Sequence, residues 1–132
     1  SHMGNPKKIN HPYYALGDES LLAACIDLGM QQGIIATNAG FYAPQGRHLR
    51  TQKVIDSDNH HLSQFKYNNS VITNFDMETA GIYGLSRVLG HKAISVSAIL
   101  ANRINGTFSK NPDQAVHDMI AIVTSAIKEG KL

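Results

Sequence analysis

One stretch in the middle of the chain, residues 71–89, changes from the hydrophobic pattern of a strand to that of a helix. A short, mostly β-branched run at residues 71–73 is followed, from residue 77 onward, by apolar side chains at helical spacing. Asp76 and Glu78 lie at the junction. In α/β proteins ligands bind beyond the carboxyl ends of strands, but acidic side chains also stabilise the start of a helix through its dipole. The stretch therefore predicts an α/β fold, with two carboxylates that either cap a helix or form part of a site.

Strand-like and helix-like patterns alternate along the rest of the chain. Short apolar runs rich in β-branched residues predict strands, and apolar residues at helical spacing between polar caps and glycines predict helices. Such alternation favours a layered α/β architecture, although three strands make a thin sheet. The predicted strands cover residues 33–38, 71–74 and 92–100, and the predicted helices cover residues 18–29, 60–67, 77–89 and 111–130.

Cap residues and apolar stripes define these helices further. Asp18 is typical of an N-cap and Gly90 of a C-cap, and Asn111, Pro112 and Gln114 have the spacing of a capping box with proline at the first helical position. Residues 101–110 read as a polar loop, and Cys25 lies on an apolar helix face that favours a core position over a nucleophile. Stripes expected to be buried are Ile82, Leu85, Val88 and Leu89 in one helix, and Val116, Met119, Ile120, Val123 and Ile127 in the last.

Composition excludes several classes of protein. The 132 residues are 42% apolar and 17% charged, which is ordinary for one globular domain. A net charge of +2 without a Lys/Arg cluster argues against a nucleic-acid partner. No apolar run reaches the length of a membrane span and no signal peptide is visible, so we expect no membrane partner. The single cysteine fits a reducing compartment, and a cytoplasmic protein is expected.

The loop after the first predicted strand, residues 39–50, is rich in side chains that recognise flat polar ligands. Phe41 offers a ring for stacking. Gln45 and Arg47 offer an amide and a fork of donors two residues apart, between Pro44 and Gly46. The same residue types are common in solvated surface turns, so composition alone leaves both interpretations open.

Three polar clusters each follow a predicted strand, which would bring them together at the carboxyl end of a parallel sheet. They are the loop of residues 39–50, the junction with Asp76 and Glu78, and the pair Asn102-Arg103. Carboxylates suit vicinal hydroxyls, although a spacing of two residues does not place both acids on one helix face. The adjacent histidines His60 and His61 have no cysteine or carboxylate near them at metal-ligand spacing. No metal site is therefore expected.

These three clusters, in this order, resemble the nucleoside phosphorylase family and, within it, the uridine phosphorylase branch. The first is similar to a uracil-reading loop, and the second to a Glu-Met-Glu ribose motif that opens a helix, with Asp in place of the first Glu. Purine-cleaving relatives usually have Ser-Asp where Ala101-Asn102 stands, which argues against purine chemistry. The matching residues are Phe41, Tyr42, Gln45 and Arg47 in the loop, Asp76, Met77, Glu78 and Ala80 at the junction, and Asn102 and Arg103 after the last predicted strand.

The resemblance implies a mixed sheet flanked by helices, a three-layer phosphorylase/hydrolase-like sandwich that is incomplete here. Family members are longer, and their amino-terminal half carries a phosphate-binding glycine loop and arginines with no counterpart in this sequence. We therefore expect residues 5–132 to be the carboxy-terminal half of a single domain, after a tag remnant and lead-in at residues 1–4. A homo-oligomer is expected, with the missing amino-terminal half as a second candidate partner.

The resemblance also implies a role for each matching residue. Phe41 stacks near the base, Gln45 and Arg47 bind the uracil edge, and Arg47 absorbs charge on the departing base, so Gln45 and Arg47 are the expected catalytic residues. Met77 packs against the ribose and Glu78 holds its hydroxyls. Further substrate contacts are expected from Tyr42, Asp76, Asn102 and Arg103.

The implied reaction is phosphorolysis of uridine to uracil and ribose 1-phosphate, a glycosyl transfer of pyrimidine salvage. A pyrimidine nucleoside and phosphate are the partners, phosphate acts as co-substrate, and no cofactor is expected. Two alternatives remain at this point. One is a nucleoside-binding or assembly module without turnover, and the other is a nucleosidase that uses water instead of phosphate.

Overall fold

A computed structural model describes residues 13–42, 45, 50, 62, 64–102 and 105–132. They form three helices and five strands in a mixed arrangement, which confirms the predicted α/β class. The helices are α1 (Glu19–Asp27), α2 (Thr79–Leu89) and α3 (Pro112–Lys128). The strands are β1 (Ile34–Thr37), β2 (Lys66–Tyr67), β3 (Ser70–Asp76), β4 (Ala101–Asn102) and β5 (Thr107–Phe108).

The main sheet has the order β1-β3-β2, in which β1 runs parallel and β2 antiparallel to β3. Asn68 and Asn69 join β2 to β3 with φ angles of 46° and 64°. Two consecutive residues at positive φ are typical of a tight hairpin turn, and asparagine adopts that conformation readily. The predicted helix over residues 60–67 is therefore wrong at its end, because residues 66–67 form a strand. Residues 60, 61 and 63 lie outside the described residues.

Helix α1 begins as predicted. The Asp18 carboxylate accepts hydrogen bonds from the backbone N–H groups of Ser20 and Leu21, at 3.0 and 3.1 Å, which satisfies two otherwise unpaired donors of the first turn. The backbone N–H of Asp18 donates to the Ala93 carbonyl at 2.8 Å and so attaches the helix start to a distant segment. Cys25, on the inner face of α1, is buried as expected.

Helix α2 starts at Thr79, two residues later than predicted, and ends on Gly90 at a φ of 73°, the left-handed cap that the sequence indicates. Thr79 is buried. The apolar stripe expected to be buried instead faces outward, with 60% of Leu85 and 84% of Val88 exposed. Helical spacing identifies an apolar face correctly, but it does not show whether a neighbouring element covers that face.

Residues 92–100 have no regular secondary structure and do not form the predicted buried strand. Hydrogen bonds connect the segment to β3 and to α2: the Asn74 amide donates to the Ser97 hydroxyl at 2.9 Å, and the Ser95 backbone N–H donates to the Tyr83 hydroxyl at 2.8 Å. A strand requires a row of backbone partners. In the described part of the chain no neighbouring backbone forms a ladder with this segment, so its apolar pattern is not sufficient to make it a strand.

The carboxy-terminal part differs from the prediction in two details. The expected polar loop contains the β4–β5 hairpin, and Gly106 turns it at a φ of 63°. Pro112 occupies the first turn of α3 as predicted, but the capping box is absent: the Asn111 side chain makes no cap bond, and the Asn111 backbone N–H donates to the Ser109 hydroxyl at 3.3 Å. Of the predicted α3 core face, Val116, Met119 and Val123 are half-buried, while Ile120 and Ile127 are exposed.

Candidate functional site

The parallel pairing of β1 and β3 brings two of the three predicted clusters together. Thr37 is the register partner of Asp76, so both strands end at the same level. The Asn38 backbone N–H then donates to the Asp76 carbonyl at 2.9 Å, which keeps the two chains adjacent beyond the strand ends. The loop after β1 and the acidic junction after β3 therefore leave the sheet side by side, at its carboxyl end.

Asp76 connects β1, β3 and the start of α2. One carboxylate oxygen accepts from the Thr37 hydroxyl at 2.7 Å and the other from the Thr79 backbone N–H at 3.1 Å. The Thr37 hydroxyl in turn accepts from the Ala80 backbone N–H at 3.1 Å. The Asp76 carboxylate thus acts as a helix cap placed three residues before the N–H that it binds. Each of its oxygens has a protein partner, so its predicted contact with substrate would have to use the remaining lone pairs.

Met77 and Glu78 project from this junction and are exposed. Glu78 occupies the N-cap position of α2 but makes no side-chain cap bond to the helix. One of its carboxylate oxygens accepts from the Met77 backbone N–H at 3.0 Å. An exposed carboxylate beside an exposed thioether side chain is suited to accept hydrogen bonds from a diol while packing against its carbon skeleton.

The loop after β1 presents an aromatic pair. The rings of Phe41 and Tyr42 are perpendicular with centroids 5.3 Å apart, and about half of each side chain is exposed. Gln45 is 3% exposed and its backbone N–H donates to the Tyr42 carbonyl at 3.0 Å. The loop therefore offers an aromatic surface with an amide held inside it. Arg47, the other predicted base contact, lies outside the described residues.

The third cluster belongs to a separate hairpin. The Asn102 side-chain oxygen accepts from the Asn105 backbone N–H at 3.1 Å, across the β4–β5 turn. This bond gives Asn102 a local role in the turn, and Arg103 lies outside the described residues. The structure thus joins the first two clusters directly through the sheet register, whereas the contribution of Asn102 and Arg103 to a site stays a prediction.

Thr37 is the residue of this region that the sequence analysis missed. It is the last residue of β1, and it bonds both the acid at the end of β3 and the first turn of α2. A hydroxyl at one strand end and a carboxylate at the end of a second strand are the available signals. These two residues can be recognised as hydrogen-bonding partners only once the two strands are known to be parallel neighbours in register.

Other features of the described residues do not point to a different chemistry. They include no group of three His, Cys, Asp or Glu side chains placed to hold a metal ion, and no helix long and apolar enough to cross a membrane. Burial raises the pKa of the Cys25 thiol, so the thiolate needed of a nucleophile is disfavoured at neutral pH. Two shallow depressions, at residues 110–114 and between Leu28 and α3, are lined by none of the candidate site residues.

A mixed sheet with an aromatic loop and an acidic strand–helix junction at its carboxyl end defines an α/β protein, a class in which ligands bind beyond the carboxyl ends of strands. A family model described as the phosphorylase superfamily matches residues 3–128. The chain belongs to this superfamily, and the nucleoside phosphorylase family indicated by the three clusters is confirmed.

A curated relative agrees with the family assignment. The chain is 32% identical over 99 residues to a uridine phosphorylase from Thermococcus kodakarensis, and the match covers 69% of this chain and 33% of the relative. The chain thus spans about a third of the length of the curated relative that it matches. No solved structure matches.

Proposed function

We propose that this chain carries the base-binding and ribose-binding part of a uridine phosphorylase-like site. The register pair Thr37 and Asp76 carries the proposal, because it brings the aromatic loop and the acidic junction to one end of the sheet. A pyrimidine nucleoside has a flat polar base joined to a sugar diol. A site for it needs these two kinds of side chain next to each other.

On the base side, the exposed rings of Phe41 and Tyr42 provide a stacking surface. Gln45 and Arg47 supply the donors and acceptors for the two carbonyls and the N–H of uracil. As the glycosidic bond breaks, negative charge develops on the base, and the guanidinium of Arg47 stabilises that charge. Such an interaction lowers the barrier because it is stronger in the transition state than in the ground state.

On the sugar side, Glu78 accepts hydrogen bonds from the ribose hydroxyls and Met77 packs against the ring. Both side chains are exposed at the junction, so a ligand reaches them without rearrangement of the helix. Their main contribution is to orient the sugar as it becomes oxocarbenium-like. Phosphate is the proposed co-substrate and no cofactor is involved, in line with a role in cytoplasmic pyrimidine salvage.

Because no phosphate-binding glycine loop is recognisable in this sequence, we expect the chain alone to bind uridine and to turn it over slowly or not at all. Calorimetric titration with uridine and with uracil tests binding. A spectrophotometric assay with and without phosphate tests turnover, and base release in phosphate-free buffer would identify a nucleosidase. A folded chain that binds neither uridine nor uracil would refute the proposed site.

Arg47→Ala is the decisive variant for the base contact, and Arg50→Ala is its matched control in the same loop. Loss of a charged hydrogen bond, about 1.5–3 kcal/mol, corresponds to a roughly 10- to 100-fold weaker affinity for both uracil and uridine. Glu78→Gln should weaken uridine binding and leave uracil binding unchanged. Equal effects of the two arginine variants would remove Arg47 from the site.

A second candidate function is assembly, and the segment of residues 94–99, which has no regular secondary structure, favours it. In the described part of the chain, the backbone polar groups of this apolar segment have one partner, the Tyr83 hydroxyl bound by the Ser95 N–H. Unpaired backbone in an uncharged segment can serve as a template for strand pairing. We propose a second copy of this chain as the occupant, since two uncharged segments meet antiparallel about a two-fold axis without charge repulsion.

Light scattering tests this candidate. A self-paired chain should have twice the 14.4 kDa mass of one chain, and its amides at residues 94–99 should exchange slowly with deuterium. Val96→Pro removes a backbone donor from the segment and should yield monomers. The control Val96→Ala shortens the same side chain but keeps the backbone donor, so it should stay paired. A monomer with rapidly exchanging amides at residues 94–99 would exclude the candidate.

A further inference from the structure

We propose that Thr37 is a positioning residue for the ribose-binding junction and that it acts through Asp76. The inference rests on the proposed function, in which Glu78 binds the sugar. It adds a residue on the neighbouring strand to which neither the family motif nor the sequence analysis assigns a role.

The Thr37 hydroxyl links three elements at once. It donates to the Asp76 carboxylate at 2.7 Å, at the end of β3, and accepts from the Ala80 N–H at 3.1 Å, in the first turn of α2. A hydroxyl has one donor and two acceptor sites, so both kinds of bond form simultaneously. Valine, which has the same shape without the hydroxyl, would lose both bonds.

The bonds around Thr37 enclose the two residues proposed to contact the ribose. The Asp76 carboxylate binds the Thr79 N–H at 3.1 Å, which closes a loop over Met77 and Glu78. Beyond it, the Glu78 carbonyl accepts from the Ile82 N–H at 3.0 Å. The backbone of Met77 and Glu78 is thus anchored on both sides while their side chains stay exposed.

Thr79 is held independently, which makes the junction a defined corner. Its side chain is 6% exposed, and its hydroxyl donates to the Ser95 hydroxyl at 3.2 Å. The sheet holds the end of β1, and Ser95 holds Thr79. The conformational freedom that the junction retains therefore depends on Asp76. Thr37 restricts that freedom by holding one carboxylate oxygen.

This arrangement makes Asp76 an intermediary. Its two oxygens bind Thr37 and the helix start, so a change at Thr37 reaches Glu78 through Asp76. If Asp76 were instead a direct ligand of ribose, Asp76→Asn would weaken uridine binding while Thr37→Val would not. If Thr37 served general stability alone, its loss would affect uracil and uridine binding to the same extent.

The experiment compares Thr37→Val with Thr37→Ser, which restores the hydroxyl, and with Thr73→Val as a control on β3, whose hydroxyl reaches the Ile34 carbonyl at 3.5 Å. The first readout needs no ligand: the NMR signals of the Met77 methyl group and the Glu78 amide should move in Thr37→Val. They should stay in place in Thr37→Ser and in Thr73→Val.

The second readout is affinity. Losing the two Thr37 hydrogen bonds, which orient Glu78 only indirectly, should weaken uridine binding about five- to tenfold in Thr37→Val, with uracil affinity within about twofold of wild type. Asp76→Asn should give the same selective loss, and the double variant should be no worse than the worse single one, because both act on one linkage.

The outcomes separate the inference from the proposed function. Unmoved Met77 and Glu78 signals in Thr37→Val would overturn the inference even if uridine binds normally. An equal loss of uracil and uridine affinity would also overturn it. If the wild type binds no uridine, the proposed function fails, and the ligand-free NMR comparison still decides whether Thr37 positions the junction.

Discussion

Two aspartates perform the same task at the starts of different helices, and each also connects its helix to a distant part of the chain. Asp18 accepts from the first amides of α1 and lies 4.0 Å from the Lys92 ammonium. Asp76 accepts from the first amide of α2 and from Thr37 on β1. A short acidic side chain before a helix therefore fixes both the beginning of the helix and its position in the fold.

The charge of Asp18 makes the stability of α1 depend on pH. The Ser20 hydroxyl, then the Leu21 N–H and the Lys92 ammonium, favour the ionised form, and together they lower the pKa of Asp18 below its ordinary value of 3.8. A lowered folded-state pKa contributes stability above the unfolded-state value, and this contribution is lost as the pH falls through the folded-state value.

We therefore expect Asp18→Ala to unfold at a lower temperature than wild type at neutral pH. The difference should shrink as the pH falls below 3.8. Calorimetric melting across this range measures it. Asp18→Asn keeps an acceptor at the cap but does not titrate, so it serves as the control. A wild-type advantage over Asp18→Ala that is constant down to acid pH would contradict the assignment.

At the scale of elements, β3 approaches the start of β1 closely, and these two strands position the two site clusters. Gly33 immediately precedes β1, and a Cβ atom there would lie 2.1 Å from the Thr73 side-chain oxygen. The register of the two strands also shifts between Ile34 and Ile35. The absence of a side chain at Gly33 thus permits a close contact between the strands that bring the two site clusters together.

Gly33→Ala should destabilise the fold by about 1–3 kcal/mol, the usual cost of overpacking. Gly84→Ala is the matched change in α2, where nothing lies within 4 Å of the added atom. It should stabilise the helix by up to about 1 kcal/mol because alanine favours helix over glycine. Urea unfolding of both variants measures the two effects, and equal changes in the free energy of unfolding would rule out a specific contact at Gly33.

At the scale of the whole molecule, large apolar side chains remain uncovered. Ile82, Leu85, Val88 and Leu89 all face outward on α2, and the buried apolar residues in the described part of the chain are Cys25 and Ala126. An exposed apolar patch of this kind marks a surface suited to association. Together with the segment at residues 94–99, this patch is the reason to test the proposed association.

Val88→Lys tests the use of the α2 stripe in association. Because Val88 is 84% exposed, the substitution should change the free energy of unfolding of one chain by no more than about 0.5 kcal/mol. It should shift the light-scattering mass toward the monomer if the stripe is an interface. Arg87→Lys, which keeps the charge next to it, is the control. An unchanged mass distribution would exclude this face from association.

Local sequence determined several helix ends and the residue types present in the first two clusters. Asp18, Gly90 and Pro112 act as predicted because capping depends on residues within one turn of the helix end. The Asn68-Asn69 turn also depends on local sequence, because asparagine readily adopts the left-handed backbone conformation. The polar segment before the turn was nevertheless predicted to be a helix.

Tertiary structure decided what depends on distant partners. The bond between Thr37 and Asp76 exists because two strands separated by many residues pair in parallel and in register. Residues 92–100 have the composition of a buried strand, but they lack a described backbone neighbour that would make them one. The apolar periodicity of a sequence predicts which face of a helix or strand favours burial. Which other element covers that face depends on long-range packing.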